Sequence, residues 1–184
     1  MIVGLIGYAQ SGKDTVANVL IDKYGFERKA FADKIRDIVY DMNPIVATVS
    51  NEALNLQYVV DRDGWDVAKQ NSTVRRYLQN VGVAARKHLG TNVWVTAVMQ
   101  ELDPAKRYVI SDVRFQNEVD MIRAMGGELW RVERPGVGPV NDHVSELELA
   151  NFSADRTLLN SGTLEELEML VRLRLDSYLA YQTH

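Results

Sequence analysis

Short apolar runs and stretches with helical spacing follow one another along this chain. The run Ile2–Ile6 is apolar and β-branched, and it predicts a buried strand that ends at Gly7. Apolar residues then recur at helical spacing from Lys13 onward, which predicts a helix that ends near Gly25. The chain therefore begins with a strand, a glycine-rich loop and a helix.

The rest of the chain continues the alternation of strands and helices. Further strands are predicted at 26–32, 107–111, 128–133 and 156–160. Further helices are predicted at 33–42, 73–89, 92–102, 117–125, 145–150 and 161–179. Either Ser161 or Thr163 can cap the last helix. The stretch 45–71 is irregular and predicts no defined element. The alternation predicts an α/β fold, with a mostly parallel sheet covered by helices on both faces.

Length and composition favour one domain of a soluble protein. The chain has 184 residues, a formal net charge of −4 and no cysteine. The charge argues mildly against a nucleic-acid binder, and the missing cysteines exclude disulfides and thiolate metal sites. No apolar stretch has the length of a membrane span, and no basic segment precedes the first apolar residues. We expect a cytoplasmic protein that binds neither nucleic acid nor membrane.

The loop after the first predicted strand has the composition of a phosphate-binding loop. It reads "GYAQSGKDT", with Gly7 and Gly12 separated by four residues and Lys13 directly after them. Glycines allow the backbone to turn N–H groups inward, and the following helix adds its partial positive charge. The lysine adds a full charge for β- and γ-phosphates. The alternative is a glycine-rich turn with a solvated lysine, which leaves the position of the loop beside a strand unexplained.

One position of the loop departs from the usual pattern. A Ser or Thr normally follows the lysine and binds magnesium through its hydroxyl, but here Asp14 stands in that place. The carboxylate can bind the ion directly, bind it through water or orient Lys13. Thr15 can still donate a hydrogen bond to the α-phosphate from the first helical turn.

Asp112 and Arg114 follow the predicted strand 107–111. An acidic residue at such a strand end commonly holds magnesium, and the alternative is a helix cap or loop carboxylate. The guanidinium of Arg114 can bind a transferring phosphoryl group, because its geometry matches phosphate oxygens. The alternative for Arg114 is a surface ion pair with Glu118, one turn later.

Several segments together resemble the phage-type deoxynucleoside monophosphate kinases of the phosphate-loop superfamily. They are "GYAQSGKDT", "LQNVGVAARKHLGTNVWV", "ISDVRFQNEVDMIRAMGGELWRVERPG", "DHVSE" and "LLNSGTLEELEMLV". The resemblance implies a three-layer fold with a five-stranded parallel sheet in the order 2-3-1-4-5. It also implies transfer of the γ-phosphoryl group of ATP to a deoxynucleoside monophosphate, with Mg²⁺, by a viral enzyme of the host cytoplasm. Dimers occur in that family.

The resemblance also assigns roles to individual positions. ATP would be bound by Gly7, Gln10, Ser11, Gly12, Lys13, Asp14, Thr15, Asn160 and Gly162. The last two match a stretch that packs near adenine in related kinases. Lys13, Asp112 and Arg114 would act in catalysis, with Asp14 and Asp112 as the metal ligands. Gln79 and Arg86 fall in the block that we place on the acceptor side.

An acceptor monophosphate carries about two negative charges, so several arginines should converge on it. Arg36, Arg75, Arg76 and Arg86 lie in the region of about 33–102, which we expect to bind the acceptor. For each of them a solvated helix face is the alternative. Asp33 can accept from a sugar hydroxyl or can cap its helix. Arg134 lies in a glycine- and proline-rich loop at about 133–145, a candidate lid over the phosphates.

The activity remains open between three alternatives at this point. The first is a deoxynucleoside monophosphate kinase. The second is a kinase of the same fold with another acceptor, such as dephospho-coenzyme A or phosphomevalonate. The third is a nucleotide-gated binding protein with weak turnover. The arginines favour phosphoryl transfer, and the sequence does not name the base that is bound.

Overall fold

The computed structural model describes residues 1–138 and 151–181, which fold as two compact units. The first unit comprises Met1–Ala30 with Met99–His184, and the second comprises Phe31–Val98. The second unit nearly coincides with the region of about 33–102 that we expect to bind the acceptor. That role remains a prediction.

Strands and helices alternate through both units. The strands are β1 (Ile2–Ile6), β2 (Glu27–Lys29), β3 (Ile45–Val49), β4 (Glu52–Asn55), β5 (Tyr108–Ile110), β6 (Glu128–Glu133) and β7 (Arg156–Leu159). The helices are α1 (Lys13–Tyr24), α2 (Phe31–Met42), α3 (Leu56–Ala68), α4 (Ser72–Leu89), α5 (Val93–Met99), α6 (Gln116–Ala124) and α7 (Leu164–Tyr181). In the described ranges, no helix combines the length and the hydropathy that a membrane span requires.

The first unit contains a five-stranded parallel sheet in the order β2-β5-β1-β6-β7. If only these five strands are numbered along the chain, the order is 2-3-1-4-5, so the predicted α/β fold is confirmed. The first strand lies in the centre, with Gly4 opposite Ile110 of β5 and opposite Leu129 of β6. Ligands bind such sheets beyond the carboxyl ends of the strands, which is where the phosphate loop lies.

Helices cover both faces of this sheet. Val3 and Leu5 belong to a buried cluster with Val16 of α1 and Val171 of α7. Gly4 points to the opposite face, where a Cβ atom would come against the side chain of Ile122 in α6. Because successive residues of a strand face opposite sides, β1 is buried on both, which explains its continuous apolar run.

The second unit has its own core and corrects our reading of 45–71. That stretch is not irregular: it contains the antiparallel hairpin β3–β4 and all of α3. Its buried core is formed by Val39, Val46, Leu56, Ala68 and Val74. Gly64 interrupts α3 with a φ of 80°, which divides the helix into two parts.

Other boundaries differ from the predictions or decide between predicted alternatives. The helix predicted at 92–102 spans only Val93–Met99. The second strand spans Glu27–Lys29 and not 26–32, because α2 already begins at Phe31. Asp33 therefore lies within the first turn of α2 and does not open the helix. Thr163, and not Ser161, caps α7: its Oγ1 accepts from the N–H of Glu166 at 3.2 Å, and the Glu166 carboxylate accepts from the N–H of Thr163 at 2.7 Å. The helix predicted at 145–150 lies outside the described residues.

Candidate active site

The loop between β1 and α1 has a backbone that only glycine adopts easily at two positions. Gly7 has a φ of 148° and Gly12 a φ of 104°. A Cβ atom on Gly7 would overlap the carbonyl oxygen of Val132 in β6. A Cβ atom on Gly12 would overlap the side-chain amide of Asn160, the residue after β7. Each glycine of the motif is therefore required by its torsion and by a specific neighbour.

Lys13 begins α1 and folds back over the loop. Its Nζ atom donates to the carbonyl oxygens of Gly7 at 2.7 Å and Tyr8 at 2.8 Å. The ammonium thus lies at the centre of the loop that binds phosphates in kinases of this pattern. Within the described residues, the Oγ atom of Ser11 is buried and has no hydrogen-bond partner. A buried, unsatisfied hydroxyl indicates a place where a polar ligand or water completes the bonding.

A cavity of about 220 Å³ opens directly beside this loop. Gly7, Tyr8 and Ser11 line one side of it, and residues 131–135 with Val137 and Leu159 line the rest. The structure therefore places Arg134, which we assign to the phosphates, in the same cavity as the loop. The neighbouring Arg131 donates to the carbonyl oxygen of Phe152 at 2.6 Å, a contact that supports the wall of the cavity.

Asp112 lies at the carboxyl end of β5, next to the central strand. Ile110 pairs with Gly4 in the parallel register, so two residues further along Asp112 is level with Ile6, just before the loop. Asp112 is half-buried, and Asp14 is exposed in the first turn of α1. Thr15 follows Asp14 in the same turn. The two carboxylates belong to the elements that adjoin the loop.

Arg114 is exposed, and its backbone is fixed by Glu118. Glu118 as a residue is 2% exposed, and its carboxylate accepts hydrogen bonds from the N–H groups of Arg114 at 2.7 Å and Phe115 at 3.1 Å. From the sequence we considered only one role for Glu118, that of a surface partner of the guanidinium. Its place at the third position of α6 was the available signal, because glutamate there commonly binds N–H groups before the helix.

The predicted acceptor residues lie in the second unit and engage their own surroundings. Arg36 donates to Asp33 at 2.9 Å, within α2. Arg75 donates to the carbonyl oxygens of Lys69 and Gln70, both at 2.9 Å, and Arg86 donates to that of Thr91 at 3.2 Å. Arg75 and Arg86 therefore support the turns at the two ends of α4.

Arg75, Gln79 and Arg86 nevertheless share one stripe of α4. Gln79 lies one turn after Arg75, and Arg86 lies two turns after Gln79. Gly82 belongs to the same stripe, and a Cβ atom there would be 3.1 Å from the Cδ1 atom of Ile35 in α2. The glycine thus allows α2 to approach α4 closely beside the polar stripe.

The structure describes only part of the candidate lid, and it brings only one of the two predicted residues after β7 to the loop. The candidate lid at about 133–145 is described only as far as residue 138, and the remainder lies outside the described residues. Gly162 is exposed in the turn before α7, close to the Glu166 side chain, while Asn160 contacts the loop itself. The contacts of Val132 and Asn160 with the loop were not foreseen, and no sequence signal pointed to either one.

Comparison with known proteins gives the family. The model of the deoxynucleotide monophosphate kinase family matches residues 62–171. The chain is 34% identical to a protein of Acanthamoeba polyphaga mimivirus that is provisionally named a deoxynucleotide monophosphate kinase, over 90% of this chain and 91% of that protein. It is 38% identical to the deoxynucleotide monophosphate kinase of Enterobacteria phage T4, but over only 33% of this chain and 25% of the phage enzyme.

Among solved structures, the fold is similar to that of dephospho-CoA kinase from Campylobacter jejuni. The TM-score is 0.49 at 10% identity, over 96% of each chain. The family assignment rests on the sequence matches, which extend from the second unit into α7 and, with the mimivirus protein, over nearly the whole chain. The chain belongs to the deoxynucleotide monophosphate kinase family, and it is a phosphotransferase with a nucleotide-kinase role.

Proposed function

We propose that the protein transfers the γ-phosphoryl group of ATP to a deoxynucleoside 5′-monophosphate, giving ADP and a deoxynucleoside diphosphate. The observation that carries this proposal is the loop Gly7–Thr15, which ends the central strand and places Lys13 at the start of α1. A helix start with an adjoining ammonium attracts a polyphosphate. The names of the relatives support a nucleotide as the acceptor.

On the donor side, we expect Lys13 to exchange the carbonyl oxygens of Gly7 and Tyr8 for phosphate oxygens of ATP. The buried hydroxyl of Ser11 would offer the nucleotide a hydrogen bond, and the cavity next to it would offer room. Phosphoryl transfer places charge on the transferring group, and catalysis depends mainly on positioning and electrostatic stabilisation. Lys13 and Arg114 would supply positive charge, and Arg134 would close the site from the cavity wall.

The chain offers ligands for Mg²⁺ that suit a nucleotide-bound ion. In the described ranges, no three acidic or histidine side chains form a complete metal cluster. Mg²⁺ commonly uses only one or two carboxylates, together with substrate phosphates and water. Asp112 and Asp14 fit that requirement, and they would hold the ion, which neutralises phosphate charge when bound.

On the acceptor side, we propose that the second unit binds the monophosphate. The polar stripe of Arg75, Gln79 and Arg86 on α4 would contact the acceptor, together with Arg36 and Asp33 of α2. The stripe presents two guanidinium groups, which match the charge and geometry of a phosphate. Asp33 would accept from a sugar hydroxyl while it keeps Arg36 in place.

A coupled assay of ADP formation tests the proposal. Purified protein would be supplied with ATP, Mg²⁺ and, in turn, each common deoxynucleoside or ribonucleoside monophosphate, dephospho-coenzyme A or phosphomevalonate. We expect ADP formation to depend on a deoxynucleoside monophosphate, with the diphosphate identified by mass spectrometry. Equal ATP turnover with and without every nucleotide acceptor would contradict the proposal, as would turnover dependent on one of the other two acceptors.

Two further expectations concern the setting of the reaction. The relatives come from a mimivirus and a bacteriophage, which supports action in the cytoplasm of an infected host. The resemblance also implies a dimer. Sedimentation of the purified protein would check the dimer independently of the assay.

A further inference from the structure

We propose that Asn160 is a positioning residue, which holds the phosphate loop in its anion-binding shape and does not act through contact with the adenine base. This inference rests on the proposed function, because it concerns how the same loop binds the triphosphate of ATP. It assigns a separate task to the end of β7, a strand that contributes no residue to the phosphate-loop motif.

Two hydrogen bonds hold Asn160 between β6 and the loop. Its Nδ2 atom donates to the carbonyl oxygen of Ser11 at 2.9 Å. Its backbone N–H donates to the carbonyl oxygen of Glu133, the last residue of β6, at 2.7 Å. The residue is half-buried. Its backbone is held by the sheet, and its side chain in turn holds the loop.

The bond to Ser11 sets the direction of one peptide group in the loop. A trans peptide is planar, so its carbonyl and the following N–H point in opposite directions. Holding the Ser11 carbonyl towards Asn160 therefore directs the Gly12 N–H away from Asn160. Gly12 immediately precedes Lys13, and its N–H is one of the groups that such a loop offers to phosphates.

Packing at Gly12 strengthens the same constraint. The absence of a Cβ atom on Gly12 is what gives the Asn160 amide room against the loop. If the amide were removed, the Ser11 carbonyl would lose its partner and the space beside Gly12 would open. The Ser11–Gly12 peptide would then have more freedom, and ordering it would cost part of the binding free energy of a phosphate group.

The experiment compares Asn160→Ala and Asn160→Asp with Asn55→Ala as the matched control. Asn55 also donates from its side-chain amide to a backbone carbonyl, that of Asn43 at 3.3 Å, but in the second unit. Affinities for tripolyphosphate and adenosine would be measured by competition against a fluorescent ATP analogue. The kcat and the KM for ATP would be measured alongside, and melting curves would check folding.

We expect Asn160→Ala to weaken tripolyphosphate binding by between about threefold and tenfold, the effect of one hydrogen bond, and to leave adenosine binding unchanged. Asn160→Asp should weaken it further, because its carboxylate faces the Ser11 carbonyl and repels phosphate. The KM for ATP should rise and kcat should fall in both variants. Asn55→Ala should match the wild type. The aspartate variant retains the size of the side chain and carries the test if the alanine variant unfolds.

Two results would overturn the inference. One is a loss of adenosine affinity equal to the loss of tripolyphosphate affinity, since that indicates a contact with the base. The other is unchanged tripolyphosphate affinity in a folded variant. A wild-type protein that binds neither ATP nor tripolyphosphate would contradict the proposed function itself, which distinguishes that failure from the failure of this inference.

Discussion

The Nζ atom of Lys13 donates a hydrogen bond to the carbonyl oxygen of Gly7 at 2.7 Å. The lysine side chain therefore reaches from the end of the loop back to its first residue. This bond joins the two ends of the segment that separates β1 from α1. It keeps the positive charge over the loop, where Lys13 is half-buried. If the loop binds ATP as proposed, the ammonium is already beside the phosphates and needs only to exchange its two carbonyl partners for phosphate oxygens.

The first prediction concerns this lysine. Lys13→Met should lower kcat by about 100-fold or more, because in the proposed reaction this charge would stabilise the transferring phosphoryl group. Lys23→Met is the matched control, since Lys23 lies in the last turn of the same helix and pairs with Glu168 on the surface. Steady-state kinetics and melting curves would be measured for both. Wild-type turnover by a folded Lys13→Met protein would refute the role of the loop.

The second prediction concerns the metal. Asp112→Asn should raise the Mg²⁺ concentration required for half-maximal activity by about tenfold or more, because a neutral amide is a weaker ligand. Asp120→Asn on α6 is the control, since Asp120 is exposed and bonded to Gln116. A titration of activity with Mg²⁺ measures both, and EDTA should abolish transfer reversibly. An unchanged titration midpoint in Asp112→Asn would remove Asp112 from the metal site.

The third prediction concerns Arg114. Arg114→Ala should reduce kcat by about 100-fold without a comparable loss of stability, because the side chain is exposed and the backbone is held by Glu118. Arg172→Ala on α7 is a control of equal chemistry, since that arginine is also exposed. Single-turnover kinetics would separate the chemical step from release of product. An unchanged rate of the chemical step in Arg114→Ala would show that Arg114 is a solvated surface residue with no role in transfer.

The fourth prediction compares two glycines, Gly25 at the end of α1 and Gly7 in the loop. Gly25→Ala should cost about 1–2 kcal/mol, because Gly25 has a φ of 69° and no atom within 4 Å of an added Cβ. Gly7→Ala should cost about 2–5 kcal/mol, since the φ of 148° at Gly7 lies outside the left-handed α region and the added Cβ atom would also overlap the carbonyl oxygen of Val132. Urea denaturation measures both. Equal losses of stability would mean that neither the torsion at Gly7 nor the overlap with Val132 adds a measurable cost.

The fifth prediction concerns Glu118, whose carboxylate holds the backbone of Arg114. Glu118→Ala should cost about 2–3 kcal/mol, because it leaves two N–H groups without their acceptor in a buried place. Glu166→Ala removes a comparable but exposed helix cap in α7 and should cost about 1 kcal/mol. Thermal unfolding would be compared under identical conditions. A smaller loss at Glu118 than at Glu166 would show that water replaces the buried carboxylate.

The sequence predicted the first strand, the loop and the first helix well because the signals are local. Ile2–Ile6 is buried on both faces, and Gly25 ends α1 in a left-handed conformation. The order of strands and the family also agree with expectation. The stretch 45–71 was missed because its structure depends on distant partners. Its hairpin turns at Ser50 and Asn51, with φ of 50° and 70°, and its core forms only when Val46 and Leu56 are buried together.

The candidate site divides in the same way. Gly7, Gly12 and Lys13 could be identified because their order along the chain carries the signal. The contacts of Asn160 with Ser11 and of Val132 with Gly7 could not, since each joins residues that are far apart in sequence. The pairing of Asp33 with Arg36 was accessible from helical spacing, yet the choice between that pair and a ligand contact depends on the surroundings of α2.

The bond between Asn160 and Ser11 has a consequence for biosynthesis. The two residues are 149 positions apart, so most of the chain must be synthesised before they can meet. A nascent polypeptide on the ribosome can already pair β1 with β5 and β6, while the loop still lacks its hydrogen bond from Asn160 after β7. If the loop binds ATP as proposed, its full affinity for the nucleotide therefore arises only late in translation, after β7 has been synthesised.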